Sequence, residues 1–223
     1  DKLATMKEWR RLKAEGKLSG VTDFFMQDTK PVEELYDIQA DPDEQVNLAD
    51  SPEHEEALIR LRAAHFAWVR QTLDLGLLPE QEMRDRASGS SEYEMARRGA
   101  EAFPIDRILG AAVLSGQGPD AVEEIIGLLD EEDSAVRFWA VIGLTNAAAR
   151  NELTVGALQN ALDDPSVEVR IVAAEALCRI DLEDVALPVL LDAFMHESEW
   201  VRLQAANSLD RIGEKARPAI NAI

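Results

Sequence analysis

The sequence predicts a mainly α protein: an α–α solenoid over residues 101–223, a small α+β segment over residues 1–83, and a linker over residues 84–100 between them. Three observations carry this prediction. In the second half, apolar and small residues recur at spacings of 33 and then 32 positions. In the first half, a short period-two stretch runs into turn chemistry and then into a helical apolar stripe. The 223 residues are 46% hydrophobic, enough for packed cores in one large or two modest domains.

In chain order, Lys2 to Glu15 reads as a first helix. Val32, Tyr36 and Ile38 then alternate on one face, which predicts a short strand over 32–38. Asp41-Pro42-Asp43 is turn chemistry, because proline fixes φ and the flanking carboxylates bond nearby backbone N–H groups. Ser51-Pro52 predicts a helix start, with Ser51 as cap and Pro52 at the first helical position. Leu58, Leu61, Ala64, His65, Trp68 and Val69 form that helix's apolar face, and it should end near Gly76. His65 is expected as a core or boundary histidine. Arg84 to Gly99, with Ala87-Ser88-Gly89-Ser90-Ser91 inside it, reads as a connection that is partly ordered at most.

The repeat begins after it. The segments DSAVRFWAVIGLTNA, SVEVRIVAAEALCRI and SEWVRLQAANSLDRI align on Val136, Ala140, Gly143 and Leu144, on Val169, Ala173, Ala176 and Leu177, and on Val201, Ala205, Ser208 and Leu209. The spacing i, i+4, i+7, i+8 is a helical stripe, and its small residues allow close approach of a neighbouring helix. A second set lies between: Val122, Val155, Leu187 and Ile220, with Ile125, Leu158, Leu190 and Ile223. Each repeat is therefore a pair of antiparallel helices, and a weaker copy on Ile105, Leu109, Ala112 and Val113 precedes them, with Pro104 where a first-turn proline is tolerated. Asp133, Ser166 and Ser198 stand three residues before the repeat valines, where a short side-chain oxygen caps the first free N–H groups. Glu168 and Glu199 fall in first turns, favourable to the helix dipole.

These segments resemble the short variety of HEAT-like repeats, with the signature Asp/Ser-x-x-Val-Arg-x-x-Ala-x-x-Ala-Leu, over residues 104–223. The resemblance implies that Arg137, Arg170 and Arg202 tie neighbouring repeats together through acidic partners. Trp200 directly precedes one repeat valine and Trp139 lies three after another, so both are candidates for a partner surface on the solenoid. The last repeat stops midway through its second helix with its apolar positions uncapped, which leads us to expect a chain that continues in a longer protein.

Glu34-Leu35-Tyr36-Asp37, Asp41-Pro42, Glu44 and Asn47-Leu48-Ala49 resemble the C-terminal part of sulfatases of the alkaline-phosphatase-like superfamily. Trp9, Leu12 and Glu15-Gly16-Lys17-Leu18 upstream fit as well, as do Trp68, Thr72, Asp74, Gly76, Leu77, Pro79 and Glu80 downstream, so the resemblance covers residues 5–83. It implies a small antiparallel sheet with one packed helix that closes the C-terminal end of a catalytic domain. It also implies, for that upstream domain, a formylglycine made from Cys or Ser in a C/S-x-P/A-x-R motif, a calcium ion on Asp and Asn ligands, and a periplasmic or extracellular setting. This sequence holds no such motif.

Composition narrows the partners. Lys+Arg 23 against Asp+Glu 43 gives a net charge of −20, which argues against nucleic acid, whose phosphates need a basic surface. The charge is uneven: residues 1–30 hold seven basic and five acidic groups, whereas residues 31–59 hold ten acidic and none basic. No apolar run approaches the ~20 residues that span a bilayer. Cys178 is the single cysteine, so no intrachain disulfide can form, and it reads as an ordinary free thiol. Asp41-x-Asp43-x-Gln45 departs from a calcium loop at Val46 and Pro52, and His54, His65 and His196 show no metal-ligand spacing. Gly116-Gln117-Gly118 before Pro119 reads as a turn.

The leading expectation is the C-terminal part of a sulfatase with an appended repeat unit: the chain completes the catalytic fold without carrying the active site, and it offers a surface to a protein or a sulfated polymer. The alternative is a non-enzymatic helical-repeat scaffold or adaptor.

Overall fold

The structure, a computed structural model, describes residues 3–27, 29–148 and 150–221. The chain divides into two compact units, Asp1–Phe66 and Ala67–Ile223.

The first unit holds α1 (Ala4–Ala14), α2 (Val21–Phe25) and the beginning of α3 (Glu55–Thr72), which starts from a 3₁₀ turn at Pro52–His54. Trp9 of α1 meets Phe25 of α2 edge to face, with ring centroids 5.1 Å apart. Pro52 takes the expected first position, but the Ser51 hydroxyl meets His54 Nδ1 at 2.9 Å rather than a backbone N–H.

The strand expected over 32–38 does not form, and no strand is present among the described residues. A strand needs a row of ladder bonds. Here a single backbone bond, Leu48 N to Leu35 O at 2.7 Å, joins the extended stretch to its neighbour. The Asn47 side chain supplies the rest: Oδ1 accepts from the N–H groups of Leu35 and Ala49, and Nδ2 donates to the Glu33 carbonyl. Ile38 falls into a turn in which Asp37 Oδ1 accepts from the N–H groups of Gln39 and Ala40. The Asp41 carboxylate likewise accepts from Gln45 N and Val46 N, at 2.7 and 2.8 Å, as the turn chemistry predicts.

None of the described residues of this first unit is buried. Val32 and Ile38 are 68% and 67% exposed. The stripe predicted for α3 fares no better: Leu58 is half-buried, while Leu61, Ala64, His65 and Trp68 are exposed and only Val69 is buried. His65 is thus neither core nor boundary. The helix ends at Thr72, short of Gly76, because Leu73 turns to φ 54 and Asp74 then caps a 3₁₀ turn at Leu75–Leu77.

In the second unit, residues 84–100 are not a loose connection. Two short helices, α4 (Glu80–Ala87) and α5 (Glu92–Ala96), bring Ala87, Met95 and Ala96 to buried positions. A capping box between Ser91 and Glu94 starts α5. The Ser-x-x-Glu spacing of Ser91 and Glu94 is the signal in the sequence that marks this helix start.

The repeats follow as pairs: α6 (Ile105–Leu114) with α7 (Val122–Gly127), α8 (Ser134–Ala147) with α9 (Glu152–Asn160), and α10 (Val167–Arg179) with α11 (Glu183–Phe194). Then α12 (Glu199–Ile212) leads into a 3₁₀ segment, Gly213–Asn221. The predicted register holds: Val136, Val169, Val201, Ala140, Ala173, Ala205, Leu144 and Leu177 are all buried. The small position at i+7 has a visible cause at Gly143, where an added Cβ would lie 3.1 Å from the Ser115 backbone and 3.0 Å from Ile125. Of the fourth members of the second helix set, Ile220 falls in the closing 3₁₀ segment and Ile223 lies outside the described residues.

The helix starts are capped less uniformly than predicted. Asp133 Oδ1 accepts from Ala135 N and Val136 N as expected. Ser166 and Ser198 do not cap with their hydroxyls; instead the residue two before each accepts the serine N–H, at Asp164 Oδ1 (2.8 Å) and His196 Nδ1 (3.1 Å).

The three repeat arginines share one geometry: each donates from Nη1 to the carbonyls six and five residues earlier, Glu131 and Glu132, Asp164 and Pro165, and His196 and Glu197. Among the described residues only Arg137 also crosses to the next repeat, through a bidentate pair with Asp164 at 2.7 and 2.9 Å. Arg170 lacks such a partner because the position matching Asp164 is His196. His196→Asp is therefore expected to keep the acceptor for Ser198 N and add an ion pair to Arg170, raising stability by about 1 kcal/mol. Urea denaturation of the variant and of His196→Asp/Arg170→Ala checks it: a gain that survives loss of Arg170 would contradict the pairing.

Candidate functional site

The first helices of three successive repeats, α8, α10 and α12, present one face to a common groove of about 420 Å³. Its apolar floor comes from Phe138 and Ile142, Val172 and Ala176, and Leu203. On α12, the residues Trp200, Leu203, Gln204, Asn207 and Arg211 recur at helical spacing, so the register that buries Val201 and Ala205 turns these toward the groove. Among the described residues the amides of Gln204 and Asn207 have no hydrogen-bond partner.

Of the two tryptophans singled out in the sequence, the structure brings only Trp200 to this lining. The Arg84 guanidinium from α4 lies over its ring, 4.6 Å from the centroid. Trp139 is committed within the chain, donating from Nε1 to the Leu77 carbonyl at 2.9 Å.

Glu175, facing α12 from α10, is the groove's buried charge. It accepts from Ser208 Oγ at 2.7 Å, from Arg211 Nη2 at 2.6 Å and from Arg179 Nη2 at 2.8 Å. Burial pushes its carboxyl pKa up, but the hydrogen bonds from Arg211, Ser208 and Arg179 outweigh burial and hold it below the ordinary value. The arrangement orients charge and leaves donors uncommitted, which suits binding.

The sequence reading missed α4, which lies across the starts of the repeat helices. Arg86 donates to Glu82 at 2.7 Å and to Asp133, the α8 cap, at 2.9 Å. Ser134 of α8 donates to Glu82 at 2.6 Å, and Ser198 at the start of α12 hydrogen-bonds Gln81. Glu82 and Asp85 also act electrostatically on Glu168 at the start of α10. Acidic side chains at the starts of α8 and α10 complement the positive ends of their dipoles.

Cys178 is buried in α10, and burial pushes its thiol up to about 11. The residue two after it is Ile180, where the formylglycine motif has proline or alanine. Among the described residues no group of three His, Cys, Asp or Glu side chains is placed to hold a metal ion. No helix among the described residues is long and apolar enough to cross a membrane.

The family model for HEAT repeats matches residues 155–222. A protein named ulvan-active sulfatase, from Formosa agariphila, is 42% identical over 94 residues, a stretch that is 42% of this chain and 16% of that protein. The chain combines HEAT-like repeats with a sulfatase-related region.

Proposed function

We propose that this chain is the C-terminal part of a sulfuric ester hydrolase, in which residues 1–83 complete a sulfatase catalytic body and the repeat unit adds an interaction surface. The observation that carries the reading is the unburied first unit: none of its described residues is buried, and Val32, Ile38, Val46, Ile59 and Leu61 are apolar and exposed. Exposed apolar surface of that extent marks a contact site. A catalytic body of the same polypeptide is the partner whose chemistry fits, since the matched relative is a sulfatase of much greater length. The extended stretch 33–36 has one backbone partner here, and on that body it would join a sheet edge as the small α+β segment. On the repeat unit, Trp200 and the uncommitted amides of the groove would meet a protein or a sulfated polymer.

The reaction itself belongs to the catalytic body, with its formylglycine and calcium, and this chain alone should not turn over an aryl sulfate. Hydrogen exchange tests the reading. In the longer polypeptide, the amides of 33–38 and 58–65 should exchange at least about tenfold more slowly than in the 223-residue chain. Equal rates would leave the first unit uncovered and favour a non-enzymatic repeat scaffold; turnover by the purified short chain would end the division of labour.

A further inference from the structure

A second cavity, of about 430 Å³, opens between α4 and the starts of α8 and α10. Its character is opposite to that of the groove. Glu82 and Asp85 come from α4, Glu132 from the turn before α8, and Glu168 from the first turn of α10. Glu168 is 3% exposed; its Oε2 accepts from the Ser166 hydroxyl at 2.9 Å, and its Oε1 has no hydrogen-bond partner among the described residues. A buried carboxylate oxygen without a donor is costly. Burial, and then Glu82 and Asp85, push the Glu168 pKa up.

The cations along the walls are already spent. Arg137 is held by Asp164 and two carbonyls and Arg170 by the carbonyls of Asp164 and Pro165, while Arg86 of α4, which does not line the cavity, is held by Glu82 and Asp133. Among the described residues Asp85 receives a hydrogen bond from the Gln81 amide alone. The helix dipoles explain why acids gather here, but they leave Glu168 Oε1 unpaired.

We propose that this cavity binds a guanidinium group, with the Glu168 carboxylate as its anchor and Asp85 beside it. A metal ion fits poorly, because calcium needs several oxygens converging at about 2.3–2.6 Å and no three candidate ligands converge among the described residues. A planar guanidinium directs its five N–H donors outward, toward carboxylates spread around a wide cavity. Its source is either an arginine side chain of a partner polypeptide or a free guanidino compound.

The test is a chemical-shift titration of the whole 223-residue chain with methylguanidinium, methylammonium, calcium chloride and the peptide acetyl-Gly-Arg-Gly-amide at constant ionic strength. Methylguanidinium is expected to saturate with a Kd on the order of 1–10 mM, moving the amides of residues 166–168 and of α4. Glu168→Gln should weaken it at least about tenfold, and Asp85→Asn, an exposed site that leaves the fold intact, should weaken it less. Tighter binding of the peptide assigns the group to a partner's arginine; equal affinity assigns a free guanidino compound. Non-saturating shifts, an unchanged affinity in Glu168→Gln, or equal or tighter binding of methylammonium or calcium would overturn the proposal.

Discussion

Arg137→Ala is expected to destabilise the repeat unit by about 3–5 kcal/mol, the range for removing one partner of a buried ion pair. The arginine and Asp164 side chains are 11% and 9% exposed, so the aspartate left behind cannot be rehydrated without opening the loop between repeats. Two carbonyls lose their donor in the same step. Arg170→Ala is the control, because it removes the same pair of carbonyl contacts with no carboxylate attached. It should cost about 1 kcal/mol. Urea midpoints for the two variants decide the matter: equal losses would mean that the pair across repeats contributes nothing beyond the carbonyl latch.

Arg86→Ala is expected to have the next largest effect, about 3 kcal/mol. It leaves Glu82 and Asp133 facing each other at a largely buried site, with only the Ser134 hydroxyl between them. Asp133 also caps α8, so the repulsion acts on a helix start. Hydrogen exchange should show α4 opening while Ile171 and Leu177 inside α10 remain protected. A loss of stability with α4 still protected would show that the arginine serves α8 alone. Arg86→Lys separates charge from geometry: it should recover only part of the loss, since an ammonium cannot serve two carboxylates and the Ala102 carbonyl at once.

What the sequence made legible follows from where each signal is stored. The repeat phase is local and written several times over, so Val136, Val169 and Val201 could be placed by alignment within the chain, and all three are buried. The role of α4 is stored elsewhere. Its eight residues, EQEMRDRA, carry little apolar periodicity, and its hydrogen-bond partners at the starts of α8 and α12 lie 47 to 117 positions away. No local pattern announces such contacts. The strand at 32–38 failed for the complementary reason: its alternation is real, but a strand exists only with a ladder partner, and here Asn47 takes that part.

The serine caps show a finer version of the same limit. The serines stand at the expected positions with different chemistry: the Ser166 and Ser198 hydroxyls donate to Glu168 and Gln81 rather than accepting from the first turn, and their own N–H groups go to Asp164 and His196. Trp139 and Trp200 looked alike in sequence, yet one is spent on the Leu77 carbonyl while the other lines the groove.

A stack in which each layer touches only its neighbours has the mechanics of a spring. The helix at 80–87 is a chord fastened to coils at two places two repeats apart, Asp133 with Ser134 and Ser198. A spring braced along one edge keeps its pitch there and flexes along the other. Thermal breathing of the unit should therefore widen or narrow the edge formed by the far ends of α8, α10 and α12, so that the groove beside Asn207 and Arg211 yields to an arriving molecule while the end beside Trp200 stays fixed.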